Sequence, residues 1–209
     1  MTASTTTSKR ALAPARREKT QARPYHHGNL RACLLEAAEV VLAERGAHGL
    51  TLRDVARAAE VSHGAPYHHF ASLNELLAAV AERGFVILGD AMAEAVAVPD
   101  TRERLLRVAQ AYVDCARAHP ERFRLMFGPL LASKDEHPAL KNAAQRAFGF
   151  VLAAANAHDK QHGASLALAG WSLAHGLSHL MIDGAFDGLP MKKQNPDTLA
   201  RKLSERLFD

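Results

Sequence analysis

Apolar residues recur with the spacing of an α-helix along most of the chain from Asn29 onward. In the first such segment they follow the offsets i, i+4, i+7, i+11 and i+12, which form one helical stripe: Leu30, Leu34, Ala37, Val41 and Leu42. Gly46 follows the stripe, and glycine is typical of the position just after a helix. The pattern therefore predicts a first helix that Gly46 ends.

Three further helices are predicted to begin at a serine or threonine, which are preferred N-cap residues. Two are short, over residues 51–59 and 62–70, and a tight turn separates them. The third is long, starts at Ser72 with a capping box and ends before Pro99.

Proline and glycine punctuate the rest of the chain into five more helical segments. They cover about residues 101–118, 121–127, 138–157, 164–184 and 197–207. No alternating strand pattern and no internal repeat interrupts them. The predicted fold is all-α with about nine helices.

Positive charge is concentrated at the N-terminus. The whole chain has 26 Lys and Arg against 22 Asp and Glu, a formal net charge of +4. Residues 1–31 carry seven basic side chains and one acidic one, so residues 32–209 sum to −2. The first 24 residues are rich in Thr, Ser, Ala and Arg and contain two prolines, which predicts a disordered basic arm.

Cysteine content and hydropathy predict a cytoplasmic protein that does not span a membrane. Cys33 and Cys115 are too few for a disulfide framework, and the N-terminus lacks the apolar core of a secretory signal. Residues 161–182 carry no formal charge and are long enough to cross a bilayer. They include three histidines, three serines and three glycines, which are costly in lipid, so a buried helix of a soluble protein is predicted.

The two short helices at residues 51–59 and 62–70 have the spacing of a DNA-binding helix-turn-helix. Residues 25–80 closely resemble the DNA-binding domain of TetR-family transcriptional regulators. The resemblance is strongest in Gly49-Leu-Thr-Leu-Arg-Asp-Val-Ala, in Val61-Ser62 and in Pro66-Tyr67-His68-His69-Phe70. It implies a three-helix DNA-binding domain over residues 25–88 that follows the arm of residues 1–24.

The resemblance also implies which residues contact DNA. The second short helix matches the family's recognition helix, which lies in the major groove, and the small side chains of Gly64 and Ala65 would allow a close approach to base edges. Thr51 and Tyr67 match phosphate contacts. The predicted contacts are Thr51, Arg53, Ser62, His63, Gly64, Ala65, Pro66, Tyr67 and His68.

The sequence departs from the family pattern at Leu73, where a lysine that pairs with phosphate is usual. Residues 32–90 carry four basic side chains against eight acidic ones, so this domain needs its attraction to phosphate from elsewhere. We therefore predict that the basic residues within 9–31 supply the attraction, as an arm that wraps the DNA or enters the flanking minor groove.

The C-terminal half carries a second set of family motifs. Trp171 with His175-Gly176 and His119-Pro120-Glu121-Arg122-Phe123 resemble one TetR C-terminal subgroup. The resemblance implies that residues 89–209 bind an effector and form a homodimer through the last two helices, at about 164–184 and 197–207. Candidate pocket residues are Tyr112, Phe123, Met126, Phe127, Phe148, Val151, Trp171 and His175. Such a set at helical spacing is more often plain core.

Other chemistries find little support. His175, His179 and Asp183 recur every fourth residue, so they share a helix face and could hold a metal ion, although a buried polar contact is the simpler interpretation. No metal or other cofactor is predicted, and no catalytic motif indicates an enzyme. The predicted function is a repressor released from a palindromic operator by a small, largely apolar effector. An architectural DNA-binding protein without an effector is the alternative.

Overall fold

The computed structural model describes residues 30–131, 134–186 and 195–208. The chain divides into two units, residues 1–30 and residues 31–209. The predicted arm, residues 1–24, lies outside the described residues.

The described residues form eight α-helices and no strand, which confirms the all-α prediction. The helices are α1 Leu30–Arg45, α2 Leu52–Ala58, α3 Leu73–Val96, α4 Thr101–Ala118, α5 Pro120–Phe127, α6 Pro138–His158, α7 Gly163–Ile182 and α8 Pro196–Leu207. Short 3-10 helices lie at Ala47–Gly49, Ala65–His68, Pro129–Leu131 and Lys134–Glu136. The predicted boundary between residues 88 and 89 falls inside α3, so one helix runs through both predicted domains.

The predicted third helix, residues 62–70, is a 3-10 helix at Ala65–His68 instead of an α-helix. Pro66 has no N–H, so the bond that an α-helix would place back to Ser62 is missing. The amides of Ala65, Tyr67 and His69 bond three residues back at 2.9, 3.2 and 3.0 Å. Tighter 3-10 geometry results.

The predicted caps begin their helices as expected. The hydroxyl of Thr51 accepts from the amide of Asp54 at 3.2 Å, and the hydroxyl of Ser72 accepts from the amide of Glu75 at 3.1 Å. The Glu75 carboxylate reaches back to the amide of Ala71 at 2.6 Å, a variant of the capping box. These bonds fix where α2 and α3 start, on either side of the 3-10 helix.

Helices α3, α4, α6 and α7 pack together, with α5 against α3 and α4, and α8 against α4 and α7. Large side chains that are almost fully buried fill the space between them, including Leu88, Met92, Leu106, Phe123, Met126 and Leu140. Within the described residues, every helix is too short or too polar to span a lipid bilayer.

The uncharged segment forms α7, which is buried on one face only. A Cβ on Gly163 would lie 2.1 Å from Asn156 Oδ1, and one on Gly170 would lie 3.2 Å from the Phe208 ring. These two glycines therefore bring α7 close to α6 and α8 of its own chain. A Cβ on Gly176, by contrast, would meet nothing within 4 Å.

An ion-pair network ties α8 to α4 and should make that contact sensitive to acid. Glu103 accepts from Arg201 at 2.8 Å and Arg107 at 3.1 Å, and these bonds lower its pKa from 4.5 to about 2. A depressed carboxyl pKa adds stability above pH 4.5 that is lost as the pH falls to about 2. Glu103→Gln should thus lower the melting temperature at pH 7 and flatten its fall in that window. Thermal melts followed by circular dichroism at several pH values would measure the melting temperature, with Asp114→Asn as the control. Equal pH profiles for Glu103→Gln and the wild type would contradict the prediction.

Candidate DNA-binding face and ligand cavity

Seven of the nine predicted DNA contacts lie on the exposed surface around α2 and the 3-10 helix. They are Thr51, Arg53, Ser62, His63, Gly64, Tyr67 and His68. The Tyr67 side chain is 57% exposed, which is high for an aromatic residue. Nothing within 4 Å would meet a Cβ on Gly64, so the backbone there is open to close approach.

The other two predicted contacts, Ala65 and Pro66, are buried. Both side chains face the core, because the 3-10 helix turns them toward the interior. The Ala65 methyl group therefore faces the protein interior in this conformation, and its contact with DNA stays a prediction.

Asp54 organises the N-terminal end of α2. It accepts from the Thr51 hydroxyl at 2.5 Å, from Arg45 at 3.0 Å and from Arg57 at 3.1 Å. The bond from Thr51, more than the two guanidinium groups, lowers the pKa of Asp54. The hydroxyl proton of Thr51 is thus used inside the protein, and Arg45 joins α1 to α2.

A cavity of about 350 Å³ lies between α3, α4, α5, α6 and α7, within the size range of small-molecule sites. Its walls are almost entirely apolar, and the one amide side chain is that of Gln145. The lining residues are Phe85, Leu88, Met92, Tyr112, Phe127, Ala144, Gln145, Ala147, Phe148, Val151 and Trp171. Gln145 and Phe148 are exposed whereas Leu88 and Met92 are buried, so the opening lies along α6.

Five of the eight predicted pocket residues line this cavity: Tyr112, Phe127, Phe148, Val151 and Trp171. Phe123 and Met126 lie outside its lining, and both are at most 2% exposed. The Phe123 ring packs against Tyr112 of α4 and His175 of α7, whereas Met126 lies against Gly84 of α3. His175 also lies outside the lining and bonds to the hydroxyl of Tyr112, which does line the cavity. The α3 residues that line the cavity were not among the predicted pocket residues, because a cavity wall and a packed core share one apolar periodicity.

A hydrogen-bonded trio stands in the cavity wall. Trp171 Nε1 donates to the Tyr112 hydroxyl at 3.3 Å, and that hydroxyl lies 2.8 Å from His175 Nδ1. Burial, and then the neighbouring His179, lower the pKa of His175, while burial raises that of Tyr112. A neutral His175 can accept a hydrogen bond from the Tyr112 hydroxyl, so the polar groups of this wall satisfy one another.

The helix face shared by His175, His179 and Asp183 is arranged as a set of protein contacts. Asp183 accepts from Arg124 at 2.6 Å and lies 3.9 Å from His179 Nδ1, while His175 bonds to Tyr112. Among the residues that the structure covers, no three His, Cys, Asp or Glu side chains are grouped to hold a metal ion.

Comparison with known proteins covers both halves of the chain. Residues 34–80 match the model of bacterial regulatory proteins of the tetR family, and residues 105–207 match that of the tetracyclin repressor-like C-terminal domain. A solved structure of a protein of unknown function from Rhodococcus sp. RHA1 is 32% identical, with a TM-score of 0.74, over 90% of this chain and 97% of that one.

Two further relatives have named functions. The transcriptional activator FasR of Mycolicibacterium smegmatis is 34% identical over 98 residues, which span 46% of this chain and 45% of FasR. FadR of Bacillus subtilis, solved in complex with stearoyl-CoA, is 14% identical with a TM-score of 0.68, over 86% of this chain and 98% of that one, and shares the fold. With both domain models matched in the order in which the helices occur, the chain belongs to the TetR family of transcriptional regulators.

Proposed function

We propose that this chain is an effector-responsive repressor, which binds a palindromic DNA operator as a homodimer and releases it when a small, largely apolar molecule enters the cavity. The observation that carries the proposal is the cavity of about 350 Å³ beside a helix-turn-helix with exposed contacts. An architectural DNA-binding protein has no need of such a space, because an empty apolar cavity forfeits packing energy.

The wall chemistry supports an apolar effector. Tyr112, Trp171 and His175 bond to one another, which leaves Gln145 at the rim as the one amide able to orient a polar group. A ligand with a long apolar body and one polar end matches this pattern, because buried polar groups without partners are costly. The FadR complex shows that the same fold holds a fatty acyl thioester in another protein.

The outer face of α7 supports the homodimer. Leu168 and Leu180 are 55% and 47% exposed, and small residues on the same face leave the helix backbone accessible. A charge-free exposed helix face is typical of a subunit interface. Twofold pairing would also set two recognition elements about 34 Å apart, as a palindrome requires.

The proposal can be tested with selected DNA and a small panel of probes. An operator duplex is first selected from a random library and its affinity measured by fluorescence anisotropy. We expect 1-decanol or stearoyl-CoA to change the emission of Trp171, the single tryptophan, and to weaken DNA binding by about 5- to 150-fold. Decanediol, polar at both ends, is the matched control and should act more weakly. Tight DNA binding that no probe alters would favour the architectural alternative.

A further inference from the structure

Arg122 on α5 is a buried charge that is only partly satisfied. The residue is 5% exposed, and its Nη1 donates to Glu39 Oε1 on α1 at 3.1 Å. Within the described residues, its Nη2 is buried and has no hydrogen-bond partner. The same Glu39 oxygen lies 3.6 Å from Arg83 Nε on α3, so one carboxylate serves two arginines.

A glycine on α3 makes room for this contact. A Cβ on Gly84 would lie 3.3 Å from Arg122 Cδ and 2.5 Å from Met126 Sδ. The second distance is shorter than real contacts allow, so a side chain at position 84 would force the Met126 side chain to shift and would crowd Arg122. The missing side chain therefore lets α5 lie against α3 with its arginine extended to α1.

The same two helices form part of the cavity wall. Phe85 follows Gly84 on α3, Phe127 ends α5, and their rings meet edge to face at 5.2 Å. Helix α5 has eight residues and is about 12 Å long. Arg122 lies five residues before Phe127 on this short helix, so a ligand that moved Phe127 together with the helix would also move Arg122.

Glu39 connects α5 to the helices of the candidate DNA-binding face. It lies on α1, whose last residue, Arg45, binds Asp54 of α2 at 3.0 Å. Asp54 in turn holds the hydroxyl of Thr51 at the start of α2. Ion pairs thus connect α5 to the predicted DNA contacts through α1.

Stability alone is a poor reason for this pair. A buried ion pair contributes little more than apolar residues of the same volume would, and an unpartnered buried donor adds a cost. An arginine can also donate to a carboxylate through two parallel hydrogen bonds, so this pair has a second, bidentate arrangement open to it in which Nη2 too would be satisfied. An element that couples two sites must have two discrete arrangements, and a contact with a single-bonded and a bidentate form meets that requirement.

We propose that the Arg122–Glu39 pair is the positioning contact through which occupancy of the cavity is transmitted to the DNA-binding helices. This inference rests on the proposed function. Arg122 touches neither ligand nor DNA and acts through the position of α1.

The test uses a built-in occupant, so it needs no identified effector. Ala144→Phe places a ring in the cavity from the α6 rim, and it should weaken binding of the selected duplex by about tenfold and change amide exchange in α1 and α2. In Glu39→Gln or Arg122→Met chains, Ala144→Phe should change the affinity by less than about twofold. Arg122→Lys, which keeps the charge, should restore part of the effect.

The control is Arg146→Met, which removes an exposed α6–α3 pair, Arg146–Asp90 at 3.0 Å, and should leave the Ala144→Phe effect unchanged. Glu39 is half-buried, so Glu39→Gln keeps the test valid if Arg122→Met fails to fold. If the Ala144→Phe effect persists in the folded variants, the pair is merely structural and the inference fails, while the proposed function stands. If Ala144→Phe alters neither DNA affinity nor amide exchange in the wild type, the proposed function fails and the inference with it.

Discussion

Deletion of residues 1–23 is expected to weaken operator binding and to flatten its dependence on salt more than any single substitution in the helix-turn-helix. The segment carries six basic side chains and one acidic one. Removal of one pairing between a basic side chain and a phosphate should reduce the slope of log K against log salt by about 0.9, so removal of all six would reduce it by about 5. The measurement is anisotropy with the selected duplex between about 50 and 200 mM salt.

A matched change in the opposite direction tests the same electrostatics. Leu73 is the first residue of α3, next to the Ser72 cap, and a lysine there should steepen the slope by about 0.9 through one additional phosphate pairing. A full-length chain whose six basic arm residues are glutamines controls for the change in length. An unchanged slope after the deletion would show that the arm does not pair with phosphate.

Phe123→Ala is expected to lower the free energy of unfolding by about 3–5 kcal/mol, a large share of the about 5–15 kcal/mol typical of a folded domain. Phe123 is 2% exposed, and its ring packs against Tyr112, Phe127 and His175 at centroid distances of 5.6, 4.9 and 5.6 Å. Truncation would leave a void that these rings cannot fill without moving. Urea unfolding followed by circular dichroism measures the change.

Phe148→Ala provides the contrast, because both residues were predicted to line one pocket. Phe148 is 36% exposed at the rim and meets Trp171 edge to face at 5.5 Å. Its truncation should cost under about 1 kcal/mol of stability, as for most exposed positions, but weaken the response of Trp171 to 1-decanol. Comparable destabilisation by the two substitutions would contradict the distinction between core and cavity wall.

Helices were predictable from the sequence wherever local chemistry decides them. The caps at Thr51 and Ser72 set their helix starts through bonds to residues three positions on, and the sequence displays both partners. The prediction of a third helix over residues 62–70 was wrong because it gave the Ser62 cap more weight than the proline at position 66. The missing N–H of that proline favours a 3-10 turn.

Features that depend on packing between distant segments were not predictable. Phe85, Leu88 and Met92 follow the same stripe as fully packed core residues, and only the positions of α5 and α6 make them a cavity wall. In the sequence Arg122 is one more charge on an amphipathic helix, yet it is buried because Gly84, 38 positions earlier, leaves the space it occupies. A family motif identified the segment but carried no information on this partner.

The missing side chain at Gly84 also limits which sequences can share this arrangement. Because the missing Cβ borders both Arg122 and Met126, the residue sizes allowed at positions 84, 122 and 126 depend on one another. A relative with alanine at position 84 would have to move the Met126 side chain, and a larger residue there would also crowd Arg122, whose side chain reaches α1. Glycine at 84, arginine at 122 and an acidic residue at 39 should therefore be inherited together, which gives a pattern for tracing this connection through the family.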